Sequence, residues 1–363
     1  GSISIALQMR FIQNKDLGFD SEKILLLTLN DTAIFNNVNA FSEEIKRHPA
    51  VEETCLSFTA PGRDHGKGVI MIEDNQGEMQ EMTFNQIYTD YDYLDVMGIP
   101  LEAGRYYDRE FGSDQNNSIV VNEAVVRAMQ WGDNALGKKF KLAPNVQNIT
   151  TPDAEVIGVV KDYNYGSLHN PIEPMVFVCR DNVQFLRLLH VRVENDQMQD
   201  VLNWVVEKRD AFNPSYPIQY SYLEEELDSL YEEEHVVFAL VISFTLLIIF
   251  IAALGLLGLS SFMTAKRTRE TGLRRVMGAS QNQILSLFLI QFSKWVIISN
   301  VIAWPVAFFV IKPWLQNFTY RIDFPFWTFI ISLLLSLTIA VITVSWQALK
   351  ASRMNPATSI RVE

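Results

Sequence analysis

Five histidines, two cysteines and one glycine-rich near match to a phosphate loop are the places where this chain could carry chemistry. His48, His65, His169, His190 and His235 are scattered and give no H-E-x-x-H or other metal-ligand spacing. Gly132-Asp133-Asn134-Ala135-Leu136-Gly137-Lys138-Lys139 follows G-x-x-x-x-G-K-[ST] up to its last position, where Lys139 replaces the hydroxyl that would hold magnesium; it reads as a surface turn. Asp64-His65, within GRDHGKG, reads as an exposed loop or as a small ligand site. Cys55 and Cys179 lie in strand-like runs, as separate buried thiols or as a disulfide. Paired acids are too abundant in the first 235 residues for any one pair to be informative. The residues therefore define no catalytic, metal or cofactor site.

The chemistry that does stand out is cationic. Lys266 to Ser280, KRTRETGLRRVMGAS, carries five Lys/Arg and one acid between two long apolar segments. Val236 to Glu363 holds 11 basic residues against three acids, a charge of +8, whereas residues 1 to 235 sum to −20. Such asymmetry points to two compartments and two kinds of structure.

The segments flanking the loop are long enough to span a bilayer. Val236 to Ala265 is uncharged over 30 positions and Phe324 to Trp346 over 23, where about 20 apolar residues suffice. Leu285 to Ile311 also reads as a span, although it contains Lys294 and Pro305. Its buried part begins near Trp295, with Lys294 snorkelling to the interface and 281 to 293 as the approach. Trp295, Trp314, Trp327 and Trp346 fall near the expected helix ends, with Trp304 deeper. Positive-inside bias places the 266 to 280 loop and the tail, with Lys350, Arg353 and Arg361, in the cytoplasm, and so residues 20 to 235 outside it. Ala252, Ala253, Gly255 and Gly258 narrow the first span and favour close helix packing, with Gly255 and Gly258 as the packing residues.

The N-terminal part reads as α+β in two subdomains, with an insertion around 69 to 150. Strands are expected at 23–29, 51–58, 69–72, 81–88, 118–121, 155–162, 174–180 and 186–193, and helices at 36–47, 91–97, 122–129 and 197–211. Glu155 to Tyr163 reads as a central strand; 108–117 and 143–153 read as exposed connections. Tyr222 to His235 places Leu223, Leu227, Leu230 and Tyr231 at helical spacing beside seven acids, so it reads as one amphipathic stalk helix continuing into the first span, or as a solvated spacer. Ser2 to Leu7 reads as the last turns of an earlier spanning helix, largely missing from the chain.

Two sets of residues carry a resemblance. Glu270-Thr271-Gly272-Leu273-Arg274-Arg275-Val276-Met277-Gly278-Ala279-Ser280 and Ala351-Ser352-Arg353-Met354-Asn355-Pro356-Ala357 resemble permeases of the MacB/FtsX-type ABC transporter family. Asp90-Tyr91-Asp92-Tyr93-Leu94, Gly98-Ile99, Gly104-Arg105, Ile119 to Ala124, Leu136-Gly137-Lys138, Val156 to Asp162 and Pro171-Ile172-Glu173-Pro174 resemble the MacB-like periplasmic core domain. The opening QMRFIQNKDLGFD is similar to the entry to the second outer domain of long two-repeat permeases common in Bacteroidetes.

The resemblance implies the end of a truncated helix at 1–19, a periplasmic core domain at 20–221, a stalk at 222–235 and a transmembrane domain at 236–349. Its spans would lie near 236–265, 286–311 and 324–348, with a coupling loop at 266–285 and a cytoplasmic tail at 350–363. It implies a multi-pass protein of the bacterial inner membrane that docks a cytoplasmic ABC ATPase through Glu270, Gly272, Arg274, Arg275, Gly278 and Ala279. ATP and magnesium would sit on that separate subunit, so this chain would be no enzyme. A second permease unit and a periplasmic adaptor or effector are the further partners implied, with no nucleic acid. The other reading the residues allow is a membrane-anchored sensor, although the inner side offers only short basic loops.

Overall fold

The computed structural model describes residues 2–142, 154–180, 186–194, 197–213, 217–266, 270, 273–274 and 277–352. It divides into a mixed α/β unit, Asn14–Glu232, and a helical unit, Gly1–Gln13 with Glu233–Glu363.

Eleven strands form the α/β unit among the described residues. They are β1 (Ile24–Thr28), β2 (Val51–Ser57), β3 (Gly66–Glu73), β4 (Met79–Thr89), β5 (Leu101–Gly104), β6 (Ser118–Asn122), β7 (Lys139–Leu142), β8 (Ala154–Val160), β9 (Met175–Cys179), β10 (Leu188–Val193) and β11 (Gln219–Tyr222). One part is an antiparallel four-stranded sheet ordered β11-β1-β10-β2. The other closes on itself, because β9 pairs with both β6 and β4 and completes the ring β4-β3-β7-β8-β6-β9. Ile70, Phe84, Val121, Phe140, Val156 and Val176 belong to one core cluster drawn from all six ring strands, with Trp131.

Strand β1, ILLLT, is buried on both faces rather than alternating, as a covered strand must be. On one side Leu25 and Leu27 pack in the cluster that takes Val38, Phe41 and Ile45 of α3 (Val38–Lys46) and Val201, Leu202 and Val205 of α7 (Met198–Phe212), residues at helical spacing. Ile24 and Leu26 belong to the second cluster, with Tyr93, Leu94 and Val96 of α4 (Tyr93–Val96) and Leu223 and Leu227 of α8 (Leu223–Ser229).

All eight expected strands are present, and Glu155 to Val160 lies centrally between β6 on one side and β5 and β7 on the other. The expectations lacked β5, β7 and β11, whose sequences LEAG, KFKL and QYSY are four residues each and are strands only because a neighbour pairs with them. The connection 108–117 is not simply exposed. Asp114 within it is fully buried and accepts two bonds from Arg105 at 2.6 and 2.9 Å, one from the Asp108 N–H and one from Ser118 Oγ. The segment 143–153 lies outside the described residues.

The stalk also differs from expectation. Instead of one helix over 222–235, α8 ends at Ser229, a turn occupies Leu230 and Tyr231, and a new helix runs Glu232–Lys266. The reason is tertiary: Leu223, Leu227 and Tyr231 are buried in the α/β unit, and the Tyr231 hydroxyl accepts the Leu168 N–H at 2.8 Å.

In the helical unit, Glu232–Lys266, Gln281–Gln316 and Trp327–Ser352 are each long and apolar enough to cross a membrane, with mean hydropathies of 3.0, 1.8 and 2.3 over their most apolar windows. The middle helix outruns its expected span at both ends and reaches roughly 54 Å at ~1.5 Å per residue over its 36 residues. Residues 281–293 belong to this helix rather than to a separate approach. Ile284, Phe288 and Phe292 pack with Val344, Leu256 and Met263 of the other two long helices. The short helix α1, Ser2–Gln13, is held by Gln8, which donates to the Tyr320 carbonyl and accepts the Ile322 N–H at 3.1 and 3.0 Å.

Candidate functional site

The segment between the first two long helices is built from its caps inward. Glu270, Leu273 and Arg274 are helical, and Gly278 ends the turn with φ of +96°, a conformation in which a Cβ is strained. The Ala279 N–H reaches the Arg274 carbonyl at 2.9 Å, closing the six-to-one bond of a Schellman motif. Two residues on, Ser280 opens the next helix with a capping box. Its hydroxyl accepts the Gln283 N–H, and the Gln283 side chain accepts the Ser280 N–H. Gly278 and Ala279 thus have defined structural tasks.

Ahead of both caps, residues 270, 273, 274 and 277 stand at i, i+3, i+4 and i+7, the spacing of one helical face. Glu270 and Arg274 pair at 2.8 Å with both side chains about half exposed, an arrangement stabilising by only ~0.3–0.5 kcal/mol. Leu273 and Met277 are 55 and 73% exposed. Apolar side chains flanking an exposed ion pair make a surface suited to a partner with its own carboxylates and apolar contacts. Leu273 and Met277 have no sequence signature as contact residues, since only their exposure sets them apart. Gly272 and Arg275 lie outside the described residues.

Gly255 and Gly258 face open space: a Cβ added to either meets no atom within 4 Å among the described residues outside the helix's own backbone.

A second arrangement holds α8 to the α/β unit. Arg63 donates to both carboxylate oxygens of Glu226, at 3.1 and 2.7 Å, and to Ser221 Oγ at 3.2 Å. This ion pair holds the Glu226 carboxyl below the usual carboxylate range. Gly62 makes the approach possible, with φ of +88° and an added Cβ 3.2 Å from the Glu226 backbone. His65 packs on Tyr165 at 4.7 Å, and enclosure pushes its pKa down to about 4. The GRDHGKG turn is therefore a packed clasp, not a free loop. Glu226 could not be told from its acidic neighbours in sequence, whereas the glycines did mark a tight turn.

The other chemical candidates resolve structurally. In the phosphate-loop look-alike, Lys138 Nζ binds the Asp74 carbonyl at 2.8 Å and Glu73 at 3.3 Å. Cys55 and Cys179 are buried thiols that are not joined in a disulfide. Among the described residues no cluster of three or more His, Cys, Asp or Glu could hold a metal.

Two family models match this architecture in order. The MacB-like periplasmic core domain covers residues 37–207 and the FtsX-like permease C-terminal domain residues 242–356. The chain belongs to the MacB/FtsX-type ABC transporter permeases. This permease is 22% identical over 292 residues to the macrolide export ATP-binding/permease protein MacB of Aggregatibacter actinomycetemcomitans, covering 74% of the chain and 42% of that protein. It is 21% identical over 350 residues to the ABC transporter permease YvrN of Bacillus subtilis (strain 168), covering 87 and 80%. The chain thus spans less than half the length of the MacB relative. Among solved structures, the periplasmic region of MacB from Actinobacillus actinomycetemcomitans aligns with TM-score 0.42 and 13% identity, over 61% of this chain and 98% of that one. A permease domain from Porphyromonas gingivalis aligns with TM-score 0.38 and 16% identity, over 56 and 91%.

Proposed function

We propose that this permease couples ATP hydrolysis on a separate cytoplasmic ATPase to movement of its α/β unit outside the membrane. The observation that carries the reading is the exposed set Glu270, Leu273, Arg274 and Met277, joined to the next helix through the Gly278 turn and the Ser280 cap. A surface so fixed pushes on the helix Gln281–Gln316 rather than folding away. Arg274 and Arg275 would supply forked donors to carboxylates of the ATPase, which would also hold ATP and magnesium. In this topology residues 20–235 are extracytoplasmic, and the 266–280 loop and C-terminus are cytoplasmic. Gly255 and Gly258 would pack on a second permease unit. The moving unit would export a peptide, small molecule or lipoprotein, or control a periplasmic adaptor or effector.

The clasp changes how motion would enter the α/β unit. Because α8 is bonded to that unit and separated by a turn from the next helix, force would arrive at Leu230-Tyr231 and pass through Glu226 and Arg63.

The test is recovery of the permease from native membranes with its partners, followed by mass spectrometry and an ATPase assay. Arg274→Glu with Arg275→Glu should still insert but lose at least tenfold of the co-purifying ATPase. Undiminished recovery contradicts docking at this loop. Absence of any ATPase from the unaltered protein favours a membrane-anchored sensor instead.

A further inference from the structure

His190 lies within β10, opposite Leu26 of β1 and Cys55 of β2, and none of it is exposed. Its two ring nitrogens have different surroundings. Nε2 stands 2.7 Å from the hydroxyl of Ser57, which is itself buried and donates to the Thr59 carbonyl at 2.6 Å. That hydroxyl has one proton and the carbonyl can only accept, so Ser57 Oγ accepts from the histidine. Nε2 therefore carries the proton of the neutral ring, and Nδ1 is a bare acceptor, buried without a partner.

The bonds run on from His190 into the clasp. Thr59, also buried, donates from Oγ1 to the Asp64 carbonyl at 3.2 Å, and the Gly62 N–H reaches the Tyr165 carbonyl at 2.7 Å. An enclosed relay thus leads from β10 through Ser57 and Thr59 to the turn whose Arg63 holds Glu226. We propose that His190 is an acid-operated release for this clasp: a proton taken up at Nδ1 opens the relay and loosens the turn from α8.

The sign comes from the geometry. An imidazolium here would keep its bond to Ser57, but its new Nδ1–H would face no acceptor and its charge no solvent. From β1 the ring meets Leu26, and from β2 the Cys55 thiol and the Ser57 hydroxyl. From α4 comes the Tyr93 ring, edge-on at 5.4 Å, with its hydroxyl buried and unpartnered; from β4, Thr89 stands opposite Ser57. On β10 itself Arg192 is occupied by the Val96 carbonyl and Asp20. Asp90, on the chain between β4 and α4, is taken up by the Leu56 and Asp92 N–H groups. The charge that acts on His190 is Arg63, a cation already bound to Glu226 of α8. Burial first, and Arg63 second, accordingly hold its pKa down at about 3 against an ordinary 6.5. A base that takes its proton only when the relay is open favours opening in acid. Closure is complete above about 6.5 and is lost progressively as pH falls below that value.

Hydrogen exchange on the full chain in lipid nanodiscs tests this, read at residues 59 to 65 and corrected for intrinsic chemistry. His65→Asn is present throughout, so that the turn's own histidine does not titrate while an amide donor remains for the Arg63 carbonyl. Protection should fall by about tenfold between pH 7.5 and 5.5, a factor set by the ordinary histidine value as long as the closed form stays unprotonated. The range lies above the ordinary 4.5 of Glu226, whose own titration is thereby kept apart. His190→Gln keeps a donor for Ser57 but cannot bind the proton, and should make the profile flat. Ser57→Ala keeps the histidine and cuts the relay; it should also leave the turn insensitive to pH, and it guards against a His190 variant that fails to fold. A flat profile with His190 and Ser57 both in place, or a dependence that survives either change, overturns the proposal.

Discussion

Arg63 and Glu226 show how little a residue's type says about its task. Arg63 belongs to a glycine-rich turn and Glu226 to an acidic helix, both of which composition alone places in solvent, yet their side chains are only 30 and 22% exposed and they share two bonds. Arg63→Ala should lower the stability of the α/β unit by ~1–2 kcal/mol, read by denaturant unfolding. The reversed pair, Arg63→Glu with Glu226→Arg, should recover part of it. No recovery would show that backbone packing at Gly62, not the ion pair, holds the clasp. The pH dependence has a definite sign. Glu226 titrates below its ordinary 4.5, so its contribution is complete above that value and is lost as pH falls through the lower folded value.

Elements in the membrane were far more legible than those outside it. A helix in hydrocarbon must satisfy its backbone internally, so length and hydropathy suffice to find it. The helices Glu232–Lys266, Gln281–Gln316 and Trp327–Ser352 cover the three expected spans. Helix packing follows different rules, and Gly255 and Gly258 illustrate the test. A Cβ at either position meets nothing within 4 Å among the described residues, and leucine replaces two poor helix formers, so the helix itself should be no less stable. If those residues pack on another permease unit, the double variant should run as a smaller species in detergent by light scattering. An unchanged mass would remove the interface. In the α/β unit, β5, β7 and β11 were invisible because a four-residue strand is defined by its neighbour's unpaired edge, not by its own pattern. The stalk failed as a single helix for a related reason: its acidic, helically spaced residues favour a helix, but burial of Tyr231 ends the first segment one turn early.

For the whole molecule, charge distribution makes the sharpest prediction. Cysteine introduced at Ser280 should react with a membrane-impermeant maleimide only from the cytoplasmic side, and cysteine at Glu233 only from the opposite side. Native Cys55 and Cys179 are buried and should contribute little background. The reverse pattern would invert the topology and move the α/β unit, and with it any ATPase contact, to the other face. Class, order of domains and the three membrane helices followed from sequence because they depend on sums over many residues, of hydropathy and of charge, which no single contact can reverse. The positions of Gly278 and Ser280 were also local matters, since a positive φ and a cap are properties of a few adjacent residues. Only the tertiary structure decided that the sheet closes into a ring, that Asp114 is enclosed, that Asp90 accepts the Leu56 N–H, and that Arg63 reaches Glu226. Each depends on residues from 9 to 163 positions apart along the chain, or on backbone contributed by another strand. Such pairings are selected by the register of the fold as a whole, and a sequence read in windows holds no record of them.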